Sequence, residues 1–194
     1  MRAAILPHMR NLLPLFLLLP SLSWAADSNL ELRAMTQADQ AGRKAGNINW
    51  DVLGAEDTQR RVRVRAMLAA GSVKTAEDFY NAALIMQHGS EVQDYKLAFS
   101  LANISAEIDP ESKSFTPAYK SGKWLMAAAW DRHMMNLGKP QWYGTQITKP
   151  HGKALWEVYQ LDESAVSDAE RQAHGVMPRE EMQKKVAEMN KSAK

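Results

Sequence analysis

The two residues Gly89-Ser90 limit what this chain can fold into more than any other feature. A segment with helical spacing lies on either side. Before the link, Thr75-Ala76-Glu77-Asp78 reads as a helix start, because threonine is a good N-cap and acidic residues suit the first turn. Phe79, Tyr80, Ala83 and Met86 follow at helical spacing. Ala82 to Met86 is an unbroken apolar run, so this helix is expected to be buried on most sides. After the link, Ser90-Glu91-Val92-Gln93 has the form of a capping box. Val92, Tyr95, Ala98, Phe99 and Ala102 mark the core stripe of the next helix, which Asp109-Pro110 closes. So short a link forces the two helices to be antiparallel neighbours.

Helical patterns dominate the rest of the chain. This predicts a mainly α, antiparallel helical domain, with a tetratricopeptide-like helix pair and a third core helix. No second copy appears at a fixed period, which argues against a repeat array. A first helix is expected over Leu30 to Arg43, with Leu30, Ala34, Gln37, Ala38 and Ala41 near one face. Gly46 to Trp50 reads as a loop, with Trp50 docking on the core. Asp57 or Thr58 is the expected cap of a second helix, which runs to Ala70 with Gly71 just past its end. Its arginines 60, 61, 63 and 65 read as a solvated, salt-bridging face. Thr116-Pro117 is the expected start of the third core helix, which continues to Leu137 and stops at Gly138 and Pro140. A turn at Pro150 to Lys153, with Leu155, Trp156, Val158 and Tyr159 after it, suggests a short β-hairpin near 146–160. Ser167 to Glu170 opens a short helix that stops at Gly175. Pro178 opens a terminal one with Met182, Val186 and Met189 on one face, and residues 191–194 should fray.

The chain begins like an exported protein. Arg2 and Arg10 precede an apolar run from Leu12 to Leu19, and Ser23-Trp24-Ala25 offers small residues for cleavage after Ala25. That run is too short to span a bilayer, and no later segment is long and apolar enough. A single domain over 26–190, periplasmic or secreted, is therefore expected. The chain has no cysteine, so neither disulfides nor a lipid-anchored cysteine is possible, and stability must come from an apolar core. A formal charge of +2 implies no strong pull toward nucleic acid or acidic lipid.

The chemistry concentrates in Asp131 to Gln146. Leu125 to Trp130 is apolar all round, so Asp131 and Arg132 sit on an enclosed helix. Adjacent helical residues point about 100° apart and cannot satisfy one another. Each needs a distant partner, and Arg61, His88, Gln141, Tyr143, Thr145 and Gln146 are the candidates. Two readings are open. One is a buried ion-pair network that fixes helix packing; the other is a ligand pocket, where polar groups converge in an apolar wall. The loop from Lys139 to Gln146 divides in the same way. Gln141, Tyr143, Thr145 and Gln146 offer more hydrogen-bonding groups than a plug requires. Gln87 and His88 close a helix, where the imidazole either bonds free carbonyls or serves as a base or ligand contact. The histidines lack the paired spacing of zinc sites, and no cofactor loop or nucleophile elbow is present.

Several of these motifs together resemble a family of uncharacterised bacterial proteins, a domain of unknown function. The resemblance rests on Gln87-His88-Gly89, on Asp131-Arg132, and on Gly138-x-Pro140-Gln141-x-Tyr143-Gly144-Thr145-Gln146. Lesser matches are Asp39-Gln40 with Arg43, the Thr75 to Tyr80 helix start, and Ser167-Asp168-x-Glu170-Arg171 with Gly175-Val176. It implies a mostly helical domain and supplies no reaction.

The leading expectation is a non-catalytic module of the cell envelope that binds a small ligand or an envelope protein. Its candidate contacts are Gln87, His88, Asp131, Arg132, Gln141, Tyr143, Thr145 and Gln146. One alternative is a small hydrolase in which His88 is the base, Asp131 its orienter, and Arg132 and Gln146 stabilise negative charge. Another is an inhibitor or immunity-type protein acting through exposed Trp142 or Trp156.

Overall fold

Helix α3 (Ala76–Met86) is central because its second half is apolar all round, its polar residues Glu77, Asp78 and Asn81 lying in the first two turns. Asn81 to Met86 are all buried, and Tyr80 and Ile85 are sealed from solvent. Each large apolar side chain enclosed there contributes about 1.5–3 kcal/mol. The helix touches four others: α1 (Leu30–Lys44), α2 (Trp50–Ala69), α4 (Val92–Ile108) and α5 (Gly122–Asn136). The computed structural model describes residues 27–110 and 121–192. Among these the chain is mainly helical, and no helix is long and apolar enough to cross a membrane. The expected signal segment, residues 1–25, lies outside them.

The Thr75 cap forms as expected. Thr75 Oγ1 accepts from the Asp78 amide at 3.1 Å, and the Asp78 carboxylate accepts from the Thr75 amide at the same distance. Helices α3 and α4 pack along their lengths as neighbours, and α4 packs equally closely on α5. Small residues (Ala98, Ala102, Ser105 and Ala106) line the buried face of α4. Ser105 Oγ ties it to α3 by donating to the Ala76 carbonyl at 2.8 Å. The start of α4 departs from expectation. Its N-cap is Glu91, with no side-chain bond, and Ser90 Oγ turns to the Glu91 carboxylate instead.

Three further boundaries also differ. Helix α2 begins at Trp50, capped by Asn49, whose side chain accepts from the Val52 amide at 3.2 Å. Trp50 does not dock on the core and is 67 % exposed. An Asn cap outcompeted the later Asp57 and Thr58, since Gly54 inside a helix costs only about 1 kcal/mol. Helix α5 is capped by Ser121, while the expected cap Thr116 lies outside the described residues. The last helix, α7 (Arg179–Ser192), stays helical past Lys191.

Helix α1 presents the face opposite to the one its small residues suggested. Leu32, Thr36 and Asp39 are buried, whereas Leu30, Ala34, Gln37, Ala38 and Ala41 are exposed. The buried face is chosen by the ion pairs of Asp39 with Arg43 and His88, which an apolar count does not register.

After α5, strands β1 (Ile147–Thr148) and β2 (Glu157–Val158) form the expected antiparallel hairpin, with Ile147 opposite Val158. Its turn closes where Lys153 N donates to Pro150 O at 3.0 Å. Helix α6 (Asp168–Ala173) starts at a Ser167–Glu170 capping box, and α7 lays Met182 into the core.

Candidate functional site

Asp131 is fully buried on α5, and both its oxygens face the following loop. Oδ1 accepts from the amides of Trp142 (2.8 Å) and Tyr143 (2.9 Å). Oδ2 accepts from the Thr145 amide (2.8 Å) and hydroxyl (2.7 Å). Burial pushes the Asp131 carboxyl above its usual range, and these four bonds pull against that. Gln141, also fully buried, locks the same loop from its other side. Its Nε2 donates to the carbonyls of Gln146 (3.0 Å) and Tyr159 (2.9 Å), and its Oε1 accepts from the Gln146 amide (2.9 Å). Gln146 Nε2 donates to Thr145 Oγ1 at 2.8 Å. Asp131, Gln141, Thr145 and Gln146 thus form one knot that spends its hydrogen bonds internally. Tyr143 joins it through its backbone, while its ring lies 5.0 Å from that of His174.

Gly144 is required at the centre of the knot. Its φ is +74°, and a Cβ there would strike the guanidinium of Arg171 and the Met182 sulfur. Arg171 is itself buried, with a single long ion pair to Asp168 at 3.6 Å. The loop is therefore clamped between a carboxylate on α5 and a cation on α6. Trp142 and Trp156 are both half-buried.

A second cluster runs across α1, α2 and α3. Asp39, fully buried, receives Arg43 Nη1 (2.7 Å) and His88 Nδ1 (3.0 Å) on the same oxygen, and Gln40 Nε2 (2.7 Å) on the other. Arg43 continues to Asp57 at 2.6 Å, and Asp57 to Arg60 at 3.0 Å. Burial opposes ionisation of Asp39, but His88, Arg43 and Gln40 hold its carboxyl below the usual range. Burial lowers the His88 pKa, with Asp39 opposing and Arg43 and Arg132 assisting. The neutral imidazole then places its proton on Nδ1, toward Asp39. The orienter of His88 is thus Asp39 rather than Asp131, whose oxygens are committed to the loop. Gln87 is buried beside it, and its Oε1 has no hydrogen-bond partner.

Arg132 belongs to neither knot. Every other arginine among the described residues has a carboxylate within 4 Å. Arginines 60, 61, 63 and 65 all pair, though Arg60 and Arg61 lie against the protein rather than in solvent. Arg132 has no such partner among the described residues, and its buried Nε makes no hydrogen bond to them. The side chain lines a cavity of about 240 Å³ with Tyr95, Met135 and Asn136. Tyr95 donates its hydroxyl to the Gly89 carbonyl (2.6 Å), and Asn136 Nδ2 donates to the Ser90 carbonyl (2.9 Å). Gly89 permits this packing, since a Cβ there would overlap Asp94, which Arg61 and Arg65 hold in place. Among the described residues, no three His, Asp or Glu side chains converge as around a metal ion.

Fold and site together define a helical protein with an unpaired cation at the mouth of a small cleft. Set against family models, curated proteins and solved structures, the chain matches none.

Of the residues expected from sequence, Asp131, Tyr143, Thr145, Gln141 and Gln146 meet in the loop knot, His88 joins Asp39, and Arg132 stands at the cavity. Tyr95, Met135 and Asn136 were missed, as were Asp57 and Arg171. Asp39 and Arg43, four apart on one helix, carried a readable signal in their spacing.

Proposed function

We propose that the chain is an exported, non-catalytic binding module of the cell envelope, and that it captures a small ligand bearing negative charge in the cleft between α4 and α5. Arg132 carries this reading. An enclosed cation without a counter-ion costs several kcal/mol. A ligand that supplies the counter-charge recovers that cost on binding, with the charge-assisted hydrogen bonds that guanidinium makes to carboxylate or phosphate. Convergent polar groups in an apolar wall describe such a site. Export is supported by the basic, apolar and small-residue segments that open the sequence.

Arg132→Gln tests the reading. It removes an uncompensated charge, so the melting temperature should hold or rise, while the stabilisation of the wild type by added small anions disappears. A variant that loses several kcal/mol of stability yet keeps the anion response would sink the proposal.

A small hydrolase is the second reading, favoured by one observation. His88 is oriented by Asp39 and its Nε2 makes no hydrogen bond among the described residues, an arrangement suited to proton transfer. In that case Asp39→Asn would abolish hydrolysis of an ester or amide panel without abolishing binding.

A further inference from the structure

The hydrogen-bonding inventory of the cleft says more about its ligand than charge alone. We propose that the ligand is a small hydroxycarboxylate, an assignment that rests on the cleft being a ligand site. Such a molecule carries one oxyanion and a neighbouring hydroxyl donor on a short apolar stem. Three observations converge. Arg132 is a donor only and takes the oxyanion. Tyr95 and Asn136 have already spent donors on the carbonyls of Gly89 and Ser90. The Tyr95 hydroxyl then has only acceptor lone pairs left for the cleft, whereas the Asn136 amide keeps one N–H beside its Oδ1 and can turn either to a ligand. A plain carboxylate or a fully ionised phosphate would meet the Tyr95 oxygen with lone pairs of its own. A ligand carrying an O–H beside its carboxylate gives its oxyanion to Arg132 and its one hydroxyl proton to the Tyr95 oxygen, while Asn136 donates its remaining N–H to either ligand oxygen. The Tyr95 ring and the Met135 side chain supply the apolar wall.

Charge then separates a hydroxyl from an ammonium donor. Arg132 is the cation of the cleft, with no carboxylate within 4 Å among the described residues. A monoanion supplies its counter-charge, whereas a zwitterion brings a second cation beside the guanidinium. The volume, about 240 Å³, lies below the usual range of small-molecule sites and suits a metabolite of a few carbons.

The test is an NMR titration of the purified protein with acetate, glycolate and glycine at matched ionic strength. Glycolate is expected to bind about three- to tenfold tighter than acetate, the worth of one hydrogen bond. Glycine is expected to bind no tighter than acetate. Tyr95→Phe should bring glycolate down to the affinity of acetate, and Asn136→Leu, at an exposed position, should weaken both alike. Equal binding of acetate and glycolate, or glycine binding tightest, overturns the hydroxycarboxylate assignment while leaving the anion cleft standing. Absence of binding by all three, with Arg132→Gln indistinguishable from wild type, overturns the cleft as well.

Discussion

Asp131 and Arg132 are consecutive, oppositely charged and without mutual contact, and the two kinds of buried charge behave differently when removed. Asp131 satisfies three backbone amides and one hydroxyl. Its replacement by Ala strips all four donors of their acceptor and should cost about 3–5 kcal/mol in urea unfolding. The same truncation at Arg132 should cost far less, because nothing depends on it. That both charges need distant partners was legible from the sequence, since helical geometry alone separates them. That the partners would be backbone amides in one case and none in the other was not, because a loop's amide directions are set by φ and ψ that composition does not encode. His88 gives a pH signature. Burial depresses its pKa in the folded state, so the unfolded chain takes up the proton first as pH falls. Stability should be full above about pH 6.5, the unperturbed value, and decline below it by up to about 1.4 kcal/mol per pH unit for this one proton. Unfolding measured across that range should lose this component in His88→Gln.

The elements with strong local signals were legible: the capped α3, the β-hairpin, and α6 behind its capping box. Those misjudged share one cause. Helix α1 turned its Asp39 face inward, and α2 started early at Asn49, because each is positioned by charged or capping groups rather than by an apolar stripe. The 139–146 loop obeys a third rule. It is held by hydrogen bonds from one side and by steric exclusion from the other, with Gly144 at the contact. Gly144→Ala combines a left-handed backbone with overlap against the buried Arg171 guanidinium, and should destabilise by about 2–4 kcal/mol. Shortening the opposing side chain in Gly144→Ala/Arg171→Ala should recover the overlap with Arg171 only, leaving the contact with the Met182 sulfur and the left-handed backbone. A double-mutant cycle showing no coupling would contradict the clamp.

At the scale of the whole molecule, two modes of cohesion divide the structure. Helices α3, α4 and α5 meet through small and apolar residues, which acid leaves intact. Helices α1 and α2 add Leu32, Val64 and Met67 to that core but hold in large part through ion pairs, those of Asp39, Arg43, Asp57 and His88 together with Arg33–Glu77 and the pairs of Arg61 and Arg65 with Asp94. Amide hydrogen exchange near pH 5 should therefore release α1 and α2 before α3 to α5. Simultaneous release of all five would show that the ionic spine has no separate thermodynamic identity. The aromatic contact between helix and loop adds an optical consequence. The Trp130 and Trp142 rings sit 4.8 Å apart at 60°, one on α5 and one on the loop. Indoles that near and that inclined share their electronic excitation, so the docked loop should imprint a paired band of opposite signs on the ultraviolet circular dichroism spectrum. Undocking would erase it, giving the protein a built-in, label-free indicator of whether its loop is seated.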